Sequence, residues 1–156
     1  MKENLLKYTL RLGDNALVLA QRLSEWTGHG PFIEEDLALT NVCLDTFGTA
    51  TLLLDYAAQV EGKGSTADRL AFFRNEREFT NVLLVEQSNG DYAKTIVRQA
   101  LIDTYNLLLY RELSKSKDET LAGIAQKAVK EVTYHLRHSS AWLVRFGDGT
   151  EESHNK

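Results

Sequence analysis

Proline is almost missing. Pro31 is the only one in 156 positions, so hardly anything in the chain interrupts a helical backbone. A β-sandwich or barrel of this size needs turn signals every 8–12 residues or so, usually built on Gly and Pro. The all-β classes are therefore excluded. Cysteine is equally scarce: a lone Cys43 cannot close an internal disulfide or supply a cysteine zinc site. It reads as a small core residue rather than a nucleophile. A basic cluster is lacking too, since 18 Lys and Arg against 22 Asp and Glu leave a net charge of −4. That balance argues against nucleic acid as the partner. The opening MKENLLKYTLRLGDN is charged throughout and is not expected to be a signal peptide. No 18-residue run is apolar without a charge, so no membrane-spanning segment is expected. These absences predict a reduced, cytoplasmic setting. The 43% hydrophobic and 26% charged residues are those of an ordinary globular domain.

What is present is helical periodicity. Leu5, Tyr8, Leu12, Ala16, Leu19, Leu23 and Trp26 recur in steps of three and four, predicting a first helix over about 3–27. Gly28, His29, Gly30 and Pro31 end it. A second helix is expected from Glu34 to about Glu61, its opening acids Glu34, Glu35 and Asp36 matched to the positive end of the dipole. Gly62-Lys63-Gly64-Ser65 breaks it. This run follows a helix rather than a strand, and it lacks the residue order of a phosphate loop. Asp68 to Glu76 reads as a short helix with Leu70, Phe72 and Phe73 as its packing residues. Val82-Leu83-Leu84-Val85 is expected to be an extended or singly turned stretch, since a lone strand has nothing to pair with. A third helix is expected over about 91–115. A fourth opens at Ser116-Lys117-Asp118-Glu119, where Ser116 and Glu119 have capping-box spacing. Its inner stripe is Leu121, Ala125, Ala128, Val132, His135, Ser139, Trp142 and Phe146. The tail over 150–156 is expected to be polar and loose.

Four helices of similar length bury one another's stripes when packed side by side. Short loops make hairpins of the first and second helices and of the third and fourth, with one long crossover between. The expected fold is all-α, a ferritin-like four-helix bundle in a single domain over 1–149. Leu17, Val18, Leu19 and Ala20, like Leu107, Leu108, Leu109 and Tyr110, cover nearly every side of their helices. A helix apolar all round is buried all round, so a partner subunit or further helices are expected on the outer face.

Ferritin-like di-iron proteins carry one carboxylate on each of two helices and Glu-x-x-His on each of the other two. Neither the second nor the fourth helix here contains that pair. His135 lies on the inner stripe, but three residues earlier stands Val132, which ligates nothing, and Glu131 is one position off the stripe. The second helix offers Asp45, Thr46, Gly48 and Thr49 and no histidine. The third offers Asp103, flanked at helical spacing by Gln99, Asn106 and Tyr110; the first offers Asp14, Gln21 and Glu25. Two oxidised irons need several anionic ligands, and this interior supplies too few. The expectation is no metal and no cofactor, with Asp103, His135, Gln21 and the threonines in a buried hydrogen-bonded network in which Asp103 and His135 can satisfy one another. His29, His138 and His154 lack a visible catalytic partner.

Tyr8-Thr9-Leu10-Arg11-Leu12-Gly13-Asp14-Asn15 and Leu19-Ala20-Gln21-Arg22-Leu23-Ser24-Glu25-Trp26 resemble the opening helix of PaaC-type subunits of phenylacetyl-CoA epoxidase. Asp36-Leu37-Ala38-Leu39 with Leu44-Asp45, Asn81-Val82-Leu83-Leu84-Val85-Glu86-Gln87, and Lys130-Glu131 with Tyr134-His135-Leu136-Arg137 are similar as well. The likeness covers nearly the whole chain, at loop and polar positions as well as core ones. It implies a place in a multicomponent monooxygenase of aerobic phenylacetate catabolism that epoxidises the ring of phenylacetyl-CoA. It further implies a structural, non-catalytic role beside a PaaA-type subunit holding the di-iron centre, with other epoxidase subunits as further partners. By this resemblance Gln21, Thr46 (or its neighbour Asp45), Thr49, Asp103, Val132 and His135 stand at vestigial ligand positions, where only Asp103 and His135 keep the ligand type. Family members extend beyond Gly147-Asp148-Gly149, so a native product larger than 17.6 kDa is expected. The alternatives are an enzyme with its own metal on Asp103 and His135, or a self-associating helical protein, for instance a homodimer, without an oxygenase partner.

Overall fold

The computed structural model describes residues 2–155. Among them every regular element is a helix, and no strand occurs, as the periodicity predicts. The chain divides into two compact units, the first ending at Glu86 and the second starting at Gln87.

The first unit is built on a hairpin of α1 (Lys2–Ser24) and α2 (Ile33–Glu61). α1 turns Leu12, Ala16, Leu19 and Leu23 inward, the stripe expected from the spacing. Leu17 and Ala20 are buried too, so the middle of α1 is covered nearly all round. Gly13 lies where α1 and α2 approach closely: a Cβ there would stand 2.8 Å from Leu54 Cδ2. Cys43 is buried and donates its S–H to the Ala20 carbonyl at 3.2 Å, a core role, and burial pushes its thiol pKa up. The first helix ends three residues sooner than expected. Ser24 closes it, and turn hydrogen bonds from Trp26 to Leu23 and His29 to Trp26 lead to Gly28 at φ +80°. At Gly30 the backbone N–H donates to Asp36 Oδ2 at 3.0 Å, which draws the loop onto the start of α2.

α2 is the most apolar of the four long helices. By length and composition it is apolar enough to cross a membrane, with a mean hydropathy of 1.4 over its best 18 residues. Asp45 alone does not offset the leucines around it. The helix nevertheless packs Leu39, Leu53, Leu54 and Ala57 into a protein interior at 2% exposure or less.

Residues 62–91 form the long connection, and through Glu86 it belongs to this first unit. It holds α3 (Ala67–Phe72), a 3-10 turn (Glu76–Glu78) and α4 (Leu83–Glu86). Thr66 caps α3 by accepting from the Arg69 N–H at 3.1 Å. Leu70 is buried, while Phe72 and Phe73 are 68% and 81% exposed, so only Leu70 of the three is packed away. The short stretch lacks a second layer to cover both sides. The Val82–Val85 run makes a single helical turn, with Val85 fully buried.

The second unit is a hairpin of α5 (Tyr92–Leu113) and α6 (Glu119–Gly147), the expected third and fourth helices, followed by α7 (Glu151–His154). Leu107, Tyr110, Ala125, Ala128 and Val132 form its core cluster. Not all of the 107–110 run goes inward, however, since Leu108 is 60% exposed. The tail departs from expectation: Thr150 caps α7 by accepting from the Ser153 N–H at 3.2 Å, and Ser153 Oγ donates to the Phe146 carbonyl at 3.0 Å.

The cap of α6 also differs. Asp118, not Ser116, is the N-cap, accepting from the Leu121 N–H at 2.9 Å, while Ser116 Oγ accepts from the Asp118 N–H at 3.1 Å. A carboxylate at the helix start gains from the dipole as well as the hydrogen bond. Asp118→Ala should therefore cost about 1 kcal/mol and Ser116→Ala clearly less. Urea unfolding of both variants checks the order.

Candidate functional site

Among the buried polar side chains, two hydrogen-bonded clusters stand out, one in each unit. In the second unit, α5 places Gln99 and Asp103 one turn apart on its inner face, both 1% exposed. Gln99 Nε2 donates to Asp103 Oδ1 at 2.7 Å, and Ser139 Oγ on α6 donates to Oδ2 at 2.9 Å. Burial raises the Asp103 carboxyl from 3.8 to about 7, against the two hydrogen bonds, which lower it. Desolvation of a charged carboxylate outweighs two neutral donors here. Ser139 Oγ also lies 3.1 Å from the His135 carbonyl. A hydroxyl has one proton, so when Asp103 is neutral it can donate to Ser139 while Ser139 donates back to its own helix. Gln99 Oε1 is buried without a partner among the described residues.

In the first unit, Asp14 is fully buried on α1 and faces the connection. The Arg74 guanidinium pairs with it; Nη1 donates to Oδ2 at 3.2 Å. The Thr80 N–H and hydroxyl donate to the same oxygen at 2.9 and 3.1 Å. Next to it, Asn15 Oδ1 accepts from the Val82 N–H at 2.8 Å. Arg22 Nε donates to the Glu86 carbonyl at 3.1 Å. Arg74 stacks on Phe79 at 4.1 Å from the ring centre. The connection is thereby fastened along α1 by polar groups.

The residues singled out in the sequence are distributed as follows. On α2, Thr46 and Thr49 are buried, and Thr46 Oγ1 donates to the Val42 carbonyl at 2.6 Å. Gln21 is exposed on α1 and does not join a buried network. It follows Leu19 by two residues, about 200° around the helix, which turns it away from the stripe. In the second unit Asp103, Val132 and His135 are all buried. Asp103 and Ser139 meet there directly. The sequence marks Asp14 only as a polar residue of the first helix and gives no sign of its partner Arg74. Sixty positions separate the two, and no local pattern links them.

Taken one by one, these positions offer little to a metal ion. Val132 has no donor atom, Thr46 is turned to its own backbone, and Asp103 is engaged by Gln99 and Ser139. Among the described residues no three His, Cys, Asp or Glu side chains converge so as to hold a metal ion. A bridged pair of irons needs several carboxylates with imidazoles.

The family model described as "Phenylacetic acid catabolic protein" matches residues 1–156. The chain is 55% identical over 149 residues to a protein of Escherichia coli (strain K12) that is named as a subunit of 1,2-phenylacetyl-CoA epoxidase. That match covers 96% of this chain and 60% of the relative, so the chain spans about three fifths of the length of the curated relative. Together with the all-helical fold and the resemblance at the helix-one, crossover and helix-four residues, these matches show that the chain belongs to the PaaA/PaaC family of phenylacetic acid catabolic proteins.

Proposed function

We propose that this chain is a non-catalytic, structural subunit of a cytoplasmic phenylacetyl-CoA epoxidase, and that it stabilises a PaaA-type subunit carrying the di-iron centre. The reading is supported first by similarity to a protein named as one of the subunits of that enzyme. The observation that carries it is the chemistry at the vestigial positions. Thr46, Thr49 and Val132 stand where ligands are expected, Gln21 is exposed, and Asp103 is held by an amide and a hydroxyl. Hydrogen bonds between side chains there do the work that metal ligation would do in a catalytic relative. They satisfy buried polar atoms and hold two helices in register.

This assignment leaves oxygen chemistry to the partner. The chain's own contribution is a rigid helical surface. Co-expression with a di-iron catalytic subunit, followed by an assay on phenylacetyl-CoA with and without this chain, tests the proposal. Catalytic-subunit solubility and epoxidation should both depend on the chain's presence, while Asp103→Ala or His135→Ala, wherever the variant still folds and assembles, should retain turnover. Stoichiometric iron or manganese on the purified chain would overturn the reading in favour of an enzyme with its own site. A catalytic subunit that neither binds nor needs the chain would favour self-association.

A further inference from the structure

α2 carries more apolar surface than its hairpin takes up. Only 39% of its most apolar 18 residues is buried. Leu39, Leu53 and Leu54 are turned inward, but Ile33, Leu37 and Leu44 are 71%, 57% and 61% exposed. At 3.6 residues per turn these three fall within about 40° of one another, and Asp55 continues the same line. Leu52, also exposed, shares one flank of this seam with Glu34 and Asp45. The charge on the helix has a single sign: Glu34, Glu35, Asp36, Asp45, Asp55 and Glu61, with no Lys, Arg or His. Glu34 and Asp55 are exposed and belong to no ion pair among the described residues.

A leucine seam on a helix whose charged side chains are all acids selects its occupant by charge. Anionic lipid headgroups are repelled by it. A second copy laid on the same face sets acids against acids across a two-fold axis. A helix with an apolar seam flanked by Lys and Arg matches both the leucines and the carboxylates. We propose that the outward face of α2, centred on Leu37 and Leu44, docks such a basic-flanked helix from a different polypeptide. Placing that helix on the di-iron subunit rests on the structural-subunit reading above; the face and its chemistry do not.

The test uses the whole chain with the catalytic subunit, and compares wild type with Leu37→Asp/Leu44→Asp, with Glu34→Lys/Asp55→Lys, and with Val144→Asp on the exposed side of α6 as control. All these side chains are largely exposed, so circular dichroism and melting should match wild type. The leucine variant should bind about a hundredfold more weakly. The charge swap should lose about tenfold at low salt, with a flatter salt dependence. The α6 control should bind normally. Wild type that binds, with a leucine variant that binds equally well, overturns the inference and leaves the proposed function standing.

If wild type does not bind the catalytic subunit, the proposed function falls. The face is then read with two synthetic amphipathic helices, leucine-seamed and flanked by lysine or by glutamate. The inference requires the lysine peptide alone to bind, and that binding to vanish in Leu37→Asp/Leu44→Asp. Three further results overturn it: sedimentation with anionic vesicles, a dimer that the leucine variant dissolves, and shielding of Leu44→Cys from maleimide in the isolated native gene product.

Discussion

Asp14→Ala should destabilise the protein by about 3–5 kcal/mol, the usual consequence of removing one member of a buried ion pair. The Asp14 side chain is fully buried and that of Arg74 only 10% exposed. Its loss leaves the guanidinium without its carboxylate and the Thr80 N–H without its acceptor. Arg74→Ala should cost a comparable amount, because it strands the carboxylate and also removes the cation over Phe79. Asp14→Asn keeps an oxygen for Thr80 and should fall between these variants and wild type. Asp14→Leu/Arg74→Met, with no stranded charge, should recover much of the loss. Urea unfolding read by circular dichroism measures all four. Hydrogen exchange adds a local readout: amides over residues 74–86 should lose protection first, because the Asp14, Asn15 and Arg22 contacts fasten that stretch to α1. Equal stability of Asp14→Ala and wild type would show that Arg74 finds another partner and that the pair is not what holds the connection.

The second large effect is a pH dependence centred on Asp103. Burial lifts this carboxyl from 3.8 to about 7 in the folded protein. Between about pH 4 and pH 7 the unfolded chain has released this proton and the folded one still holds it, so stability falls as pH rises through that window and levels off above it. The full difference of about three pH units corresponds to something on the order of 4 kcal/mol. Asp103→Asn mimics the neutral acid, accepting from Gln99 and donating to Ser139. It should match wild type near pH 4, exceed it progressively towards pH 7, and hold a constant advantage above. Urea midpoints of both proteins at pH 4.5, 6 and 8 give the difference directly, with every other carboxylate cancelling. Parallel profiles would show that Asp103 is charged at low pH, or that water reaches its carboxyl between the helices.

Much of the architecture can be read in advance, and for local reasons. The stripe from Leu12 to Leu23 is set by side-chain spacing alone, and its stop at Gly28 follows from a backbone conformation that glycine adopts easily. The candidate site is only partly legible. Asp103 and Ser139 are visible as polar residues on two inner stripes, but their contact needs the hairpin to set its register. Gln21 is misplaced in the buried network, because it lies about 200° around the helix from Leu19 and faces away from the stripe. The cap at α6 shifts from Ser116 to Asp118 because two capping residues stand two positions apart, and the pattern does not decide between them.

By itself the sequence determined that the chain is helical, where its long helices run, and that the carboxylate–histidine spacing of a di-iron protein is missing from it. These depend on interactions within a few residues: a 3.6-residue period, one proline, and glycines at the stops. Tertiary structure alone decided that Arg74 closes on Asp14 across sixty positions, that Gln99 and Ser139 share Asp103, and that Leu37 and Leu44 face outward while Leu39 and Leu53 face in. Periodicity marks an apolar residue without saying what covers it, and a buried charge finds its partner only when distant segments are brought together. Those outcomes are settled by packing, which compares every segment with every other rather than with its neighbours in the chain.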